Sequence, residues 1–294
     1  MQDAQDNSKE PTSSTFNVIA EVDPPKGTNL DSFVSSVQQL RGRVDAVQVT
    51  DSEHAIMRMA PIAPCLTLKN IHIDPIMVIN GRDRNRISFQ ADLLAASSLG
   101  ITHILIKQGH DPKEGDQPVT RSSEDLDLPT MIKSAAALNR GRDLAGETLD
   151  GATNLIAGVA LELSDDAGIN RKLADSFDFM ADHGVKSVTL GPTYDLNIID
   201  TFQPAAERTG IKLYSSIMFL KSVVMVRYLN NLPGVPSIPQ EFLKKMMNAP
   251  VKKDAGMQIG ADLFRDLEGM CDGTVLLAIG LRDRLPDFLD MIGR

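Results

Sequence analysis

Tryptophan is absent from this chain of 294 residues and all aromatics together make up 4%, so the core must be aliphatic, drawn from Ile, Leu, Val, Ala and 13 Met. The same scarcity leaves few platforms on which nucleic-acid bases could stack. Positive charge is also short. A formal net charge of -9, with no Lys/Arg-rich block to offset it, repels a phosphate backbone and argues against a nucleic-acid partner. Cysteine is reduced to Cys65 and Cys271, far apart and without metal-ligand spacing, which reads as two buried thiols in a reducing compartment and no metal site. No apolar run approaches bilayer length, and the first residues are polar rather than signal-like. The expectation is a cytoplasmic protein with no membrane partner.

What is present is an alternation. Behind a polar tail, Met1 to about Thr15 and expected to be disordered, short β-rich runs alternate with longer segments of helical period. The runs are "FNVIAEV" (16–22), "DAVQVT" (45–50), "PIMVIN" (75–80), "THILIK" (102–107), "NLIAGVAL" (154–161), "KSVTLG" (186–191), "IKLYSS" (211–216) and "GTVLLAIG" (273–280). They are continuously apolar rather than alternating, as parallel strands covered on both faces are. Helical segments include "HAIMRMAPIAPCLTLK", "INRKLADSFDFMADHG", "NIIDTFQPAAERTG" and a longer stretch from about Pro239 to Cys271. Eight such units over 16–294 predict a single-domain (β/α)8 TIM barrel. A doubly wound open sheet is the alternative, but "EVDPPKGTNL" lacks the Gly-rich dinucleotide fingerprint at the first strand-to-helix turn.

In a barrel the chemistry sits in the loops after the strands. The strand ends supply Glu21 and Asp23; Thr50 and Asp51; Asn80, Arg82 and Asp83; Gln108, His110 and Asp111; Glu162; Gly191; and Ser215. This is an acid-rich mouth with one histidine. The loop Gln108–Leu128, rich in turn residues and acids, reads either as an active-site lid or as a solvated surface loop.

The segments "AEVDPPKG", "VTD", "NGRDRNRISFQADLLAASSLGI", "GDQP" with "LD", then "TYD", "PGVPSIP" and "GTVLLAIG" resemble, in order, the methylenetetrahydrofolate reductase family, closest to its short single-barrel bacterial type. The resemblance implies a barrel whose mouth binds a reduced folate and FAD, with a reduced nicotinamide, NAD(P)H, as hydride source. It makes Glu21 the general acid that helps open the imidazolidine ring and places Thr50 near the flavin. By position it adds Asn80, Arg82 and Glu162 to the cofactor contacts, and Gln108, Asp111 and Tyr194 to the folate contacts. The charges of "RDRNR" read equally as a salt-bridged helix start.

The chain departs from the family at several of these places. Its strand-four aspartate is displaced in "QGHDP", where His110 takes the acid's place and Asp111 follows. Gly191 stands where a folate-binding glutamine is expected, and Met180 where a lysine is expected. Asp165, Asp166 and Asp182 remain nearby, so the flavin site reads as eroded and FAD is expected to bind weakly or not at all. A His–Asp pair at a strand end can relay protons near neutral pH, which makes His110 and Asp111 catalytic candidates beside Glu21; alternatively His110 caps a turn and only Asp111 faces the site. Three functions stay open. One is a reductase interconverting methylene- and methyltetrahydrofolate. Another is a flavin-free tetrahydrofolate-dependent methyltransferase or demethylase. The last is a non-catalytic folate-binding subunit. The apolar stretch 215–229 belongs to the outer ring or to a homo-oligomeric or partner-subunit contact.

Overall fold

The computed structural model describes residues 16–294, and the expected disorder of the tail lies outside the described residues. The eight strands are β1 (Asn17–Val22), β2 (Ala46–Val49), β3 (Pro75–Asn80), β4 (His103–Lys107), β5 (Ile156–Leu161), β6 (Ser187–Leu190), β7 (Lys212–Met218) and β8 (Gly273–Leu277). Each pairs in parallel with the next, and β1 closes on β8, giving the (β/α)8 barrel. Every run expected to be a strand is one, because a parallel strand sandwiched between the interior and a helix layer must be apolar on both faces.

The aliphatic core divides accordingly. Inside the barrel, Ile19, Tyr214 and Val275 pack with Ala46, Ile76 and Leu277 into one layer. The few aromatics lie mostly outside, where Phe33, Phe89, Phe177, Phe202, Phe219 and Phe288 are fully buried beneath the helical ring. Helix starts follow local chemistry. Asn85 and Ser88 form a reciprocal capping box on Arg86–Ser98, and the Asp127 carboxylate accepts from Thr130 N at the start of Leu128–Asn139.

The helical layer is more broken than the sequence periodicity suggests, because the chain bends at proline and small polar residues. In the segment 54–69 the α-helix begins only at Ile62, after Pro61, and runs to Asn70, with a 3-10 turn at Glu53–Ala55 before it. The stretch from Pro239 to Cys271 splits into Gln240–Asn248 and Lys252–Leu267 around Pro250, and 169–184 breaks at Ser176.

Register decides what reaches the mouth. Side chains two apart on a strand share a face, so Glu21 points inward with Ile19, one layer higher. The β1–β2 register sets Glu21 beside Gln48, and β3–β4 sets Asn80 beside Lys107. The closed ring leaves little slack: a Cβ added at Gly256 would lie 1.8 Å from the Leu220 carbonyl oxygen, backbone that cannot step aside. Gly256→Ala is therefore expected to cost about 1–3 kcal/mol as an overpacking change. Thermal denaturation should show a lowered Tm, and an unchanged Tm would mean that helix Lys252–Leu267 shifts freely.

Candidate functional site

Glu21, at the end of β1, is held by Gln48, whose Nε2 donates to its carboxylate at 2.7 Å. Part of Glu21 opens to the mouth, but protein encloses the carboxyl deeply enough for burial to dominate its titration. Burial and repulsion from Glu53 push its pKa up to about 8, against the pull of Lys107 and the Gln48 hydrogen bond. Glu21 thus carries a proton at neutral pH.

Lys107, the last residue of β4, sits 2.6 Å from Glu53 Oε1, and both side chains are largely buried. Burial alone would raise Glu53, but the Lys107 ammonium outweighs it and holds that carboxylate below its ordinary value. His110 Nδ1 lies 3.4 Å from Glu53 and its Nε2 lies 3.7 Å from Glu162. Burial, aided by Lys107 and His54, keeps the imidazole below its ordinary pKa in spite of these carboxylates, so it is neutral near pH 7. The mouth thus holds a protonated carboxylic acid, a carboxylate–ammonium pair and a neutral imidazole.

The loop after β2 is built with strain. Ser52, His54 and Ala55 have φ of 47°, 52° and 55°, left-handed values that non-glycine residues seldom adopt. The β4 loop clamps this segment. Gly115 abuts Ala55 so closely that a Cβ would meet the Ala55 carbonyl oxygen at 1.9 Å. Asp116 accepts from Met57 N at 2.9 Å and pairs with Lys26 at 2.5 Å. The loop Gln108–Leu128 is therefore fastened across the mouth from β4 towards β1 and β2. Gln48, Glu53, His54 and Lys107 were not singled out from the sequence. The signal was present for two of them, because Gln48 and Lys107 are the polar interruptions of otherwise apolar strand runs.

The remaining sequence candidates fall in different places. The Thr50 hydroxyl donates to Asp23 at 2.7 Å, and Asn80 Nδ2 donates to Asp51 Oδ2 at 2.8 Å, so both are engaged by neighbouring carboxylates. Arg82 is buried, pairs with Asp83 and points at the carbonyls of Ser52 and His110. Arg84 bridges Asp51 and Asp92. Gln108 Nε2 donates to Leu126 O at 3.1 Å. Asp111 is exposed and caps a short 3-10 turn by accepting from Lys113 N, while His110, not Asp111, faces the carboxylates. Glu162 is exposed but reaches His110. Tyr194 is buried with its hydroxyl donating to Met218 O, and burial pushes its pKa up.

Residues 6–147 match the protein-family model described as methylenetetrahydrofolate reductase. Over that stretch, just under half of its length, the chain is similar to the family. The match spans β1 to β4, including Glu21, His110 and Asp111, and ends before β5. This match supports a folate-related, reductase-like function and an oxidoreductase class. No curated protein sequence matches the chain. Among solved structures it is similar to EDTA monooxygenase from Chelativorans sp. BNC1, at 10% identity and TM-score 0.54, over 94% of this chain and 92% of that one. It is also similar to a long-chain alkane monooxygenase, at 11% identity and TM-score 0.52, over 94% and 90%. A mutant tryptophan synthase alpha-subunit from Pyrococcus furiosus gives 10% identity and TM-score 0.52, over 94% and 97%. These likenesses show the barrel fold alone. Among the described residues, no helix is long and apolar enough to cross a membrane.

The family implies FAD, and the residues present do not fit its diphosphate. Arg82 and Arg84 are closed by carboxylates, and Met180, in the lysine's place, is buried in the core. A cavity of about 170 Å³ between the β2, β3 and β4 loops falls below the roughly 300–1,000 Å³ of typical ligand pockets.

Glu21 also ties stability to pH. Its pKa is about 8 in the fold and 4.5 ordinarily, so between these values the folded chain binds more protons than the unfolded one. The stabilisation is full below 4.5 and is lost as pH rises through about 8, at up to about 1.4 kcal/mol per pH unit. Glu21→Gln lacks this proton. The Tm of the wild type relative to the variant should fall steadily between about pH 5 and about pH 9; a constant difference would show that Glu21 ionises normally.

Proposed function

We propose that the protein is a folate one-carbon enzyme interconverting methylene- and methyltetrahydrofolate, with Glu21 as its proton donor and acceptor. The observation that carries this reading is a carboxylic acid kept protonated to about pH 8 at the barrel mouth, within a family match that spans its strand. Opening an imidazolidine ring requires a proton on the nitrogen whose bond to the bridging carbon breaks. The electron pair stays with that nitrogen, the other nitrogen forms an iminium, and a hydride, with a reduced nicotinamide as its source, adds to the carbon. Glu21 supplies the proton. Gln48 then holds the resulting carboxylate by its Nε2 donor, and the nearby Lys107 ammonium stabilises its charge. The neutral His110 can pass a proton between Glu21 and bulk solvent, with Glu53 and Glu162 on either side to orient it.

A second reading keeps the barrel, the folate and Glu21 but transfers a methyl group instead of a hydride. It is favoured by the closed guanidinium pairs and the buried Met180, which leave the mouth poor in the cations a flavin needs. NAD(P)H oxidation dependent on methylenetetrahydrofolate supports the first reading; methyl loss from methyltetrahydrofolate only in the presence of an acceptor supports the second.

Calorimetry with tetrahydrofolate and its methyl derivative should show saturable binding, and no heat at millimolar ligand would sink both readings. Glu21→Gln should lower the single-turnover rate by about a hundredfold or more with little change in folate affinity. The rate of methylene reduction should be level below about pH 8 and fall above it, as Glu21 loses its proton. A near-native rate in Glu21→Gln would move the proton chemistry to another residue.

A further inference from the structure

Glu53 and His54 from the strained β2 loop meet His110 from the β4 loop, and the ligand-capable atoms of the three lie within 4.8 Å of one another. We infer that these side chains form a site for one first-row divalent transition-metal ion, bound by two imidazoles and a carboxylate. The spacing of histidines along the sequence gave no hint of it, because the ligands come from separate loops and only barrel closure unites them. The proposal departs from the sequence expectation of no metal.

The chemistry of the donor set selects the ion class. Imidazole nitrogen paired with one carboxylate suits zinc, cobalt or ferrous iron, whereas magnesium and calcium prefer all-oxygen shells. Donor atoms on a tetrahedral ion are roughly 3.4 Å apart, given metal–ligand bonds of about 2.0–2.1 Å. His110 Nδ1 and Glu53 Oε1 already stand at 3.4 Å, and the His54 and His110 rings face each other with centroids 4.6 Å apart. One pair of donors thus already stands at the separation an ion needs, and the third lies within 4.8 Å of both. If His110 binds through Nδ1, its Nε2–H points to Glu162, the carboxylate–histidine–metal arrangement that fixes tautomer and ring orientation.

Two further features agree. His54 is exposed, which gives an ion a way in, and its left-handed backbone, clamped through Ala55 by Gly115, fixes the ring over His110. Lys107 is the competitor. Its ammonium occupies Glu53 Oε1, the same oxygen that stands 3.4 Å from His110 Nδ1, so the ion shares that oxygen with the ammonium or displaces the ammonium from it. An isolated ion-pair cluster is the rival account, and the two differ in whether metal binds at all.

The test uses chelator-treated full-length protein titrated with Co²⁺ alone, followed by d–d absorption and by calorimetry, with Zn²⁺ as competitor. One equivalent should bind saturably. His54→Ala and His110→Ala should each weaken binding by more than the roughly 10–100-fold that loss of an outer-sphere partner costs. His183→Ala, whose ring nitrogen contacts Phe179 O away from the cluster, should leave it unchanged. X-ray absorption on the unmodified zinc-loaded protein should show two imidazoles, a readout that survives if a variant misfolds. No saturable binding, binding indifferent to His54 and His110, or a zinc shell without two imidazoles would overturn the site. None of these outcomes bears on folate binding or on Glu21→Gln turnover, so the site and the folate reading fail separately.

Discussion

The Lys107–Glu53 ion pair is the contact on which the barrel mouth depends. Glu21 and Glu53 converge there, and two like charges in a poorly solvated space cannot both ionise freely. One ammonium at 2.6 Å from Glu53 divides their roles: Glu53 stays charged, and Glu21, facing that charge with only Gln48 to donate to it, keeps its proton. Lys107 itself stays protonated despite its burial because of the same pairing, with the cost of burying its charge offset by the Glu53 carboxylate. Replacing either partner would leave the other as an unpaired buried charge, so the pair is a constraint on every residue around it.

The constraint extends into backbone. Holding Glu53 against Lys107 and His54 against His110 places three residues of 52–55 in left-handed conformations. Such strain persists only where surrounding contacts over-determine it. Those contacts are visible: Gly115 against Ala55, Asp116 to Met57 N and Lys26, and Arg82 towards the Ser52 carbonyl. The charged residues near β3 are used for this bracing, with Arg84 tying Asp51 to Asp92. The barrel is complete, while the guanidiniums of Arg82 and Arg84 are turned inward to hold loops.

This division also explains why His110 and Asp111, neighbours in sequence, part company. Asp111 begins the turn at Pro112 and spends its carboxylate on Lys113 N. His110 lies one residue nearer the strand end and turns to the carboxylates of the mouth. A one-residue displacement of an acid at a strand end therefore exchanges a carboxylate for an imidazole at the site.

The sequence by itself determined the architecture and the position of Glu21. Eight doubly apolar runs at regular spacing admit few folds other than a closed parallel barrel, and in such a barrel the residue that ends β1 must face the mouth. Gln48 and Lys107 were legible as polar breaks in apolar strands, although their partners were not. Only the tertiary structure decided that Glu53 and His54, in an unremarked "SEH", meet Lys107 and His110 from a loop more than fifty residues away. It also decided that Tyr194 and Met180 turn into the core while Arg82 and Arg84 close on acids. The physical reason is that periodicity along a chain reports which face is buried, whereas charge pairing depends on distances set by barrel closure and by strained loops, which no local pattern encodes.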